Sequence, residues 1–181
     1  MRIGLASDTY GNLAVLDRAL GLFRRAQVDR IFFLGGRAGD VDTVLARRAV
    51  PDPFDDRIVR VASKACPEYE SGKVPRKQMD LVEGRICCLV HDKAELSRDD
   101  IANDSIIFHG NAAAAAVVQI GPRCFVTPGH LRATPPQGRP ASFGIAEVTE
   151  RDLVLTVFSP ECAELRQERA SVAAAARISV R

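Results

Sequence analysis

The opening of this chain constrains its fold more than any other stretch: an apolar run over Arg2–Ala6, an amphipathic segment over residues 12–27, and a second apolar run over residues 30–34. Leu13, Leu16, Leu20 and Phe23 recur at the spacing of one helical face, and Asn12 stands where a helix cap belongs. Two strands joined by one helix pack as a right-handed crossover, which makes the strands parallel neighbours with the helix laid across a face of their sheet. The chain is therefore expected to be α/β.

Further along, residues 42–48 read as a short helix and residues 57–62 as a third strand, while residues 66–77 show no periodicity. Residues 78–82 and 85–90 form a hairpin pattern around Glu83-Gly84. Residues 97–103 are helical with Ser97 as cap, and residues 105–108 are another strand. Residues 114–120, 123–126, 141–148 and 152–157 read as antiparallel strands, although the alanine run over residues 112–116 equally suits the start of a helix. Residues 161–176 have helix-forming composition with few large apolar side chains, so a terminal helix is expected there, either frayed or completed by a partner. The organisation expected is one domain over residues 1–158 and a tail over residues 159–181.

Composition narrows the function classes. A chain of 181 residues, 46% hydrophobic, can bury one sizeable core, and a formal charge of +2 is too small to imply a surface that tracks nucleic acid phosphates. The first residues lack the long apolar stretch of a secretory signal, and no segment approaches a membrane span, so a cytoplasmic location is expected. The five cysteines include no C-x-x-C pair; vicinal Cys87 and Cys88 on a strand point to opposite faces and read as reduced packing residues.

In open α/β sheets, function gathers on loops at the carboxyl ends of strands. Here those loops carry Ser7-Asp8-Thr9-Tyr10-Gly11-Asn12, Phe33-Leu34-Gly35-Gly36, Leu89-Val90-His91-Asp92, Phe108-His109-Gly110-Asn111-Ala112-Ala113 and Phe125-Val126-Thr127-Pro128-Gly129-His130-Leu131. In order and separation this series resembles the S-D-T-H-G-N, L-G-D, H-G, G-H-T-H and N-P-G-S loops of small bacterial and archaeal calcineurin-like metallophosphoesterases, over roughly residues 1–158. The resemblance implies a sandwich of two mixed β-sheets flanked by helices. It also implies a pair of divalent metals, bridged by a carboxylate and a hydroxide that attacks a phosphate ester in line.

The ligands such a pair needs are mostly missing. Asp8 matches, but Tyr10 replaces a histidine, Gly36 replaces the bridging aspartate, and no asparagine occurs between Asn12 and Asn103 for the third loop. His91 matches, whereas G-H-T-H aligns with Gly110-Asn111-Ala112-Ala113; a one-residue shift would put His109 in the motif at the cost of the glycine match. Asp8 and His91 are thus the residual family positions. Each also has a plain structural role open to it: Asp8 as a helix cap or acceptor for the Gly11-Asn12 turn, His91 as a hydrogen-bonded scaffold residue. Asp40 and Asp42 suit capping and dipole compensation at a helix start.

Three functions follow. The first is a non-catalytic scaffold or binding protein that keeps the fold for contacts with another protein, as in the small retromer subunit, with no cofactor. The second is a divergent phosphoesterase using Mn²⁺ or another divalent metal at a rearranged site built from Asp8, His91, His109, Asn111 and His130. The third is a module that binds a phosphate-containing small molecule through Gly35, Gly36, Arg37 and Lys64 without cleaving it. No membrane or nucleic acid partner is expected. Neither G-x-x-x-x-G-K-[ST] nor G-x-S-x-G occurs to support another chemistry.

Overall fold

The computed structural model describes residues 1–64 and 66–172. In chain order these form β1 (Arg2–Ala6), α1 (Leu13–Arg25), β2 (Arg30–Phe33), α2 (Gly39–Leu45), β3 (Ile58–Arg60), α3 (Pro67–Glu70), β4 (Lys77–Val82), β5 (Arg85–Val90), α4 (Arg98–Asn103), β6 (Ile106–His109), β7 (Ala115–Ile120), β8 (Arg123–Pro128), β9 (Phe143–Val148), β10 (Asp152–Phe158) and β11 (Glu164–Ser171). One sheet has the order β11-β10-β9-β1-β2-β3 and the other β4-β5-β6-β8-β7. Both are mixed, with β1, β2 and β3 parallel in the first and β5, β6 and β8 parallel in the second.

The opening crossover is as expected: Ile3 pairs with Arg30 and Ala6 with Phe33 in parallel register. α1 covers the outer face of the first sheet with Val15, Leu16, Ala19, Leu20 and Phe23. Gly4 makes this possible, because a Cβ there would lie 2.6 Å from the Phe23 ring. Between the sheets, Ile3, Leu5, Phe32 and Leu34 meet Leu89, Ile106, Phe108 and Val126, with the Phe32 and Phe108 rings edge to face at 5.2 Å. Cys87 joins this inner core and Cys88 the outer face with Val90 and Ile107, the split that adjacent strand positions require. Burial pushes both thiols up to about 12, so they pack as apolar groups.

Local signals mostly held. Ser97 caps α4 in a reciprocal capping box with Asp100. The hairpin turns at Glu83 and Gly84, both with positive φ. Asn12, by contrast, makes no side-chain cap on α1; its Nδ2 donates to Leu131 O at 2.7 Å instead. A one-turn helix, α3, lies in the stretch without periodicity.

The larger correction concerns the tail. Residues 164–171 are a strand, not a helix: β11 pairs antiparallel with β10 along its length and buries Ala170, with Val172 beyond it, in the inner core. A turn through Cys162, at φ +67, brings the segment back onto β10, and sheet pairing then outweighs its helix-forming composition. The first sheet therefore continues past residue 158, and the part of the expected helix beyond Val172 lies outside the described residues. Side chains of β11 also reach across to β7, at the edge of the other sheet. Val117 N–H donates to Glu168 Oε2 at 2.7 Å, and Arg166 Nη2 donates to Ala115 O at 2.8 Å.

Candidate functional site

The carboxyl ends of β1, β2, β5, β6 and β8 bring the singled-out loops to one end of the sandwich, with Asp8 at their centre. Its side chain is buried and four protein groups surround its two oxygens. Oδ2 accepts from Ser7 Oγ at 2.6 Å and from Asn111 N–H at 2.8 Å. Oδ1 accepts from His91 Nε2 at 3.0 Å, and the Arg132 guanidinium lies 3.5 Å from it. Burial alone would raise the Asp8 pKa, but the hydrogen bond and charge of His91, with donation from Ser7 and Asn111, outweigh it and hold the carboxyl below its ordinary value. Asp8 is an anion balanced by protein groups.

The backbone around it is unusual. Asp8, Tyr10 and Asn111 all have positive φ, at 55°, 46° and 48°, a conformation disfavoured for residues with a Cβ and held only where the surroundings fix it. Asp40, at the start of α2, supplies part of that fixing by accepting from Thr9 Oγ1 at 2.6 Å and Gly11 N–H at 2.8 Å. The Gly11 donor is therefore taken by Asp40, and Asp8 neither caps α1 nor serves that turn. Asp42, also in the first turn of α2, pairs with Arg60 at 2.7 Å.

Gly35 and Gly36 wedge beneath this loop. Gly35 O accepts from Asp8 N–H at 2.8 Å, and a Cβ on Gly35 would lie 2.5 Å from the His91 ring. Gly36 has φ +100, and a Cβ there would lie 2.6 Å from Asp8 Cα; its carbonyl accepts from Ser63 Oγ at 2.6 Å. The space that a side chain at position 36 would need is filled by the backbone of the Asp8 loop. Arg37 is exposed, its Nη1 near Gly11, and Lys64 is exposed.

The other histidines are engaged separately. His109 is buried, its Nδ1–H donates to Gly110 O at 2.9 Å, and desolvation lowers its pKa to about 4. His130 donates from Nε2 to Arg139 O at 3.0 Å and accepts at Nδ1 from Arg132 N–H at 3.1 Å, so both ring nitrogens are occupied in the neutral form. Desolvation, aided by the charge of Arg132, lowers the His130 pKa against the opposing bond to Arg139. Asn111 serves the site through its backbone, and its side chain donates to Asp92 Oδ2 at 3.0 Å.

Sequence reasoning did not single out Arg132 or Ser7. Arg132 lies over the Tyr10 ring, with its guanidinium carbon 4.0 Å from the centroid. Tyr10 thus supports a cation from below, and burial with the Asp8 charge raises the pKa of its phenol, which makes it a poorer anionic ligand still. The residues present do not fit a pair of divalent metals: among the described residues no group of three or more His, Cys, Asp and Glu side chains converges as a cation site, and position 36 has no room for a bridging carboxylate.

No protein-family model matches the sequence, and no curated protein matches it. Solved structures do match the fold. A conserved protein of Streptococcus pneumoniae TIGR4, described as a predicted phosphoesterase, superposes with a TM-score of 0.69 at 14% identity, covering 94% of this chain and 97% of its own. The phosphoesterase YfcE of E. coli gives 0.64 at 21% identity over 93% and 98%. Vps29 of Entamoeba histolytica, in a complex with Zn²⁺, gives 0.65 at 15% identity over 94% and 99%. From these superpositions, together with its own two mixed sheets and flanking helices, the chain has the calcineurin-like metallophosphoesterase fold.

Proposed function

We propose that this protein is a non-catalytic member of its fold, a scaffold or binding protein for another protein. The observation that carries this is the state of Asp8: its oxygens face His91, Ser7, the Asn111 amide and the Arg132 guanidinium, so the positive charge beside it is supplied by the chain. A phosphoesterase centre of this class needs several free anionic and imidazole donors around its metals. Here His130 and Asp40 are occupied elsewhere and position 36 is closed. Vps29 among the matched structures supports such a use of the fold.

The test is a Mn²⁺ and Zn²⁺ titration of the purified chain by calorimetry, with metal content measured after dialysis and hydrolysis of bis-p-nitrophenyl phosphate followed in parallel. Substoichiometric binding and no hydrolysis are expected. Two cations bound per chain, with turnover abolished by His91→Ala, would establish the phosphoesterase reading instead.

A second reading, a phosphate ligand held without cleavage, draws on one feature. Arg132 Nε is buried without a hydrogen-bond partner while its side chain stays 32% exposed, so the guanidinium keeps donor capacity that the protein leaves unused. A thermal shift with nucleotides that disappears in Arg132→Ala would favour it.

A further inference from the structure

A second surface lies away from Asp8, where α1 faces the loop after α2. It is a cleft of about 700 Å³ that crosses α1 at Gly21, and arginines 18, 24, 25 and 48 stand around it. Leu20 and Phe54 lie at its floor but belong to the core, at 3% and 9% exposed, so its apolar edge is Val50, 74% exposed. A smaller adjoining hollow extends along α1 past Arg18 and Arg48 to Arg47.

Part of this basic character has a local explanation. Arg24 pairs with Asp52, Arg48 pairs with Asp55, and Arg18 Nε donates to Pro160 O at 2.8 Å. Arg24 and Arg25 also lie in the last turn of α1, where cations offset the helix dipole. Arg25 and Arg47 make neither an ion pair nor a side-chain hydrogen bond among the described residues.

Gly21 is the independent observation. It sits in the interior of α1, where glycine costs roughly 0.5–1 kcal/mol relative to alanine. Packing does not require it: a Cβ there would meet only Arg25 Nη1, at an ordinary 3.6 Å, and its φ is not in the left-handed region. A helix that carries an unneeded glycine facing an open cleft leaves room for a foreign chain to approach its backbone closely.

From the notch at Gly21, the unpaired arginines and the exposed Val50, we infer that this cleft docks an acidic segment of a partner protein, with an apolar side chain seated beside Val50 and carboxylates on Arg25 and, in the adjoining hollow, Arg47. The inference rests on the scaffold reading only in taking the partner to be a protein. Asp17 and Glu161 also line the cleft and would repel a compact polyphosphate, whereas an extended peptide can place its charges beside the arginines and away from these acids. Guanidinium forks suit carboxylates bidentately.

The experiment is a selection of random dodecapeptides displayed on phage against the full chain, followed by fluorescence anisotropy of the enriched peptides. Acidic peptides carrying a large apolar residue are expected, with Kd raised at least tenfold by Gly21→Leu, which fills the notch with a better helix former, and by Arg25→Glu. Arg132→Ala should leave binding unchanged, which separates this surface from the Asp8 site. Failure to enrich, enrichment of neutral or basic peptides, equal binding to Gly21→Leu, or displacement of the peptides by tripolyphosphate at low micromolar concentration would each overturn the proposal. A metal-loaded, hydrolytic chain that still binds such peptides through Gly21 would overturn the scaffold reading alone.

Discussion

Arg132 places its guanidinium 3.5 Å from Asp8 Oδ1, so the one carboxylate retained at the centre of the loops has an arginine for its cation. The same group stacks on Tyr10, and its neighbour Leu131 donates its N–H to Ser7 O at 3.0 Å. One short segment thus joins the loop after β8 to the loop after β1.

Removing that cation should loosen both loops. Arg132→Ala loses the contact with Asp8 and the stacking on Tyr10, and a destabilisation of about 1 kcal/mol is expected by urea unfolding. Asp8→Asn, which removes a buried charge bonded to His91, should cost more, about 2 kcal/mol. If Arg132→Ala proves as stable as the parent, the guanidinium contributes nothing to holding Asp8.

Restoring a carboxylate at position 36 should not restore a metal centre. Gly36→Asp must accommodate a Cβ 2.6 Å from Asp8 Cα at φ +100, so a loss of at least about 3 kcal/mol or a failure to fold is expected. A Gly36→Asp protein with an unchanged melting temperature and new Mn²⁺ affinity would show that the Asp8 loop yields readily.

The histidine at the end of β6 should make the protein acid-sensitive. The folded pKa of His109, about 4, lies below its ordinary 6.5 because the ring is desolvated. The unfolded chain therefore binds the proton first: stability is full above about pH 6.5 and is lost as pH falls towards 4, by on the order of 3 kcal/mol. Comparing His109→Gln with the parent across pH 4–8 checks this, and the variant should show the shallower slope. Asp104 acts in the opposite sense between about pH 4 and 6 but is common to both proteins, so the difference isolates His109.

Asp104 itself offers a gain. Its two buried oxygens have no N–H or O–H donor, only the weak Cys88 thiol beside them, and desolvation with the charge of Asp100 outweighs that thiol and pushes the pKa up to about 6. Asp104→Asn should therefore raise stability at pH 7.5 by about 1 kcal/mol and lose that advantage at pH 5. Equal melting temperatures at both pH values would contradict it.

What the sequence revealed was local. The Glu83-Gly84 hairpin and the Ser97 cap depend on residues within a few positions of one another, and the opening crossover on consecutive elements whose apolar periodicity is written in each, so all three were readable. β11 was not, since its pairing with β10 decides its conformation against the preference of its own residues. At the site, the missing side chain at Gly36 was plain, but the backbone of the Asp8 loop filling its place was not. The partners of Asp8 were equally hidden: one is the main-chain amide of Asn111 and another is Arg132, in a loop whose motif resemblance points to its glycine. Hydrogen bonds donated by backbone leave no mark on residue type.

The bridge from β11 to β7 has a consequence for association. An outer strand ordinarily displays a row of unmet amides and carbonyls on which a further strand can crystallise. Along β7 the outward amide of Val117 and carbonyl of Ala115 are already engaged by Glu168 and Arg166, so an incoming chain finds an ionic fringe in place of a template. Clipping the last hairpin would uncover that rim, and the trimmed protein should be the one that forms ribbons with its own copies.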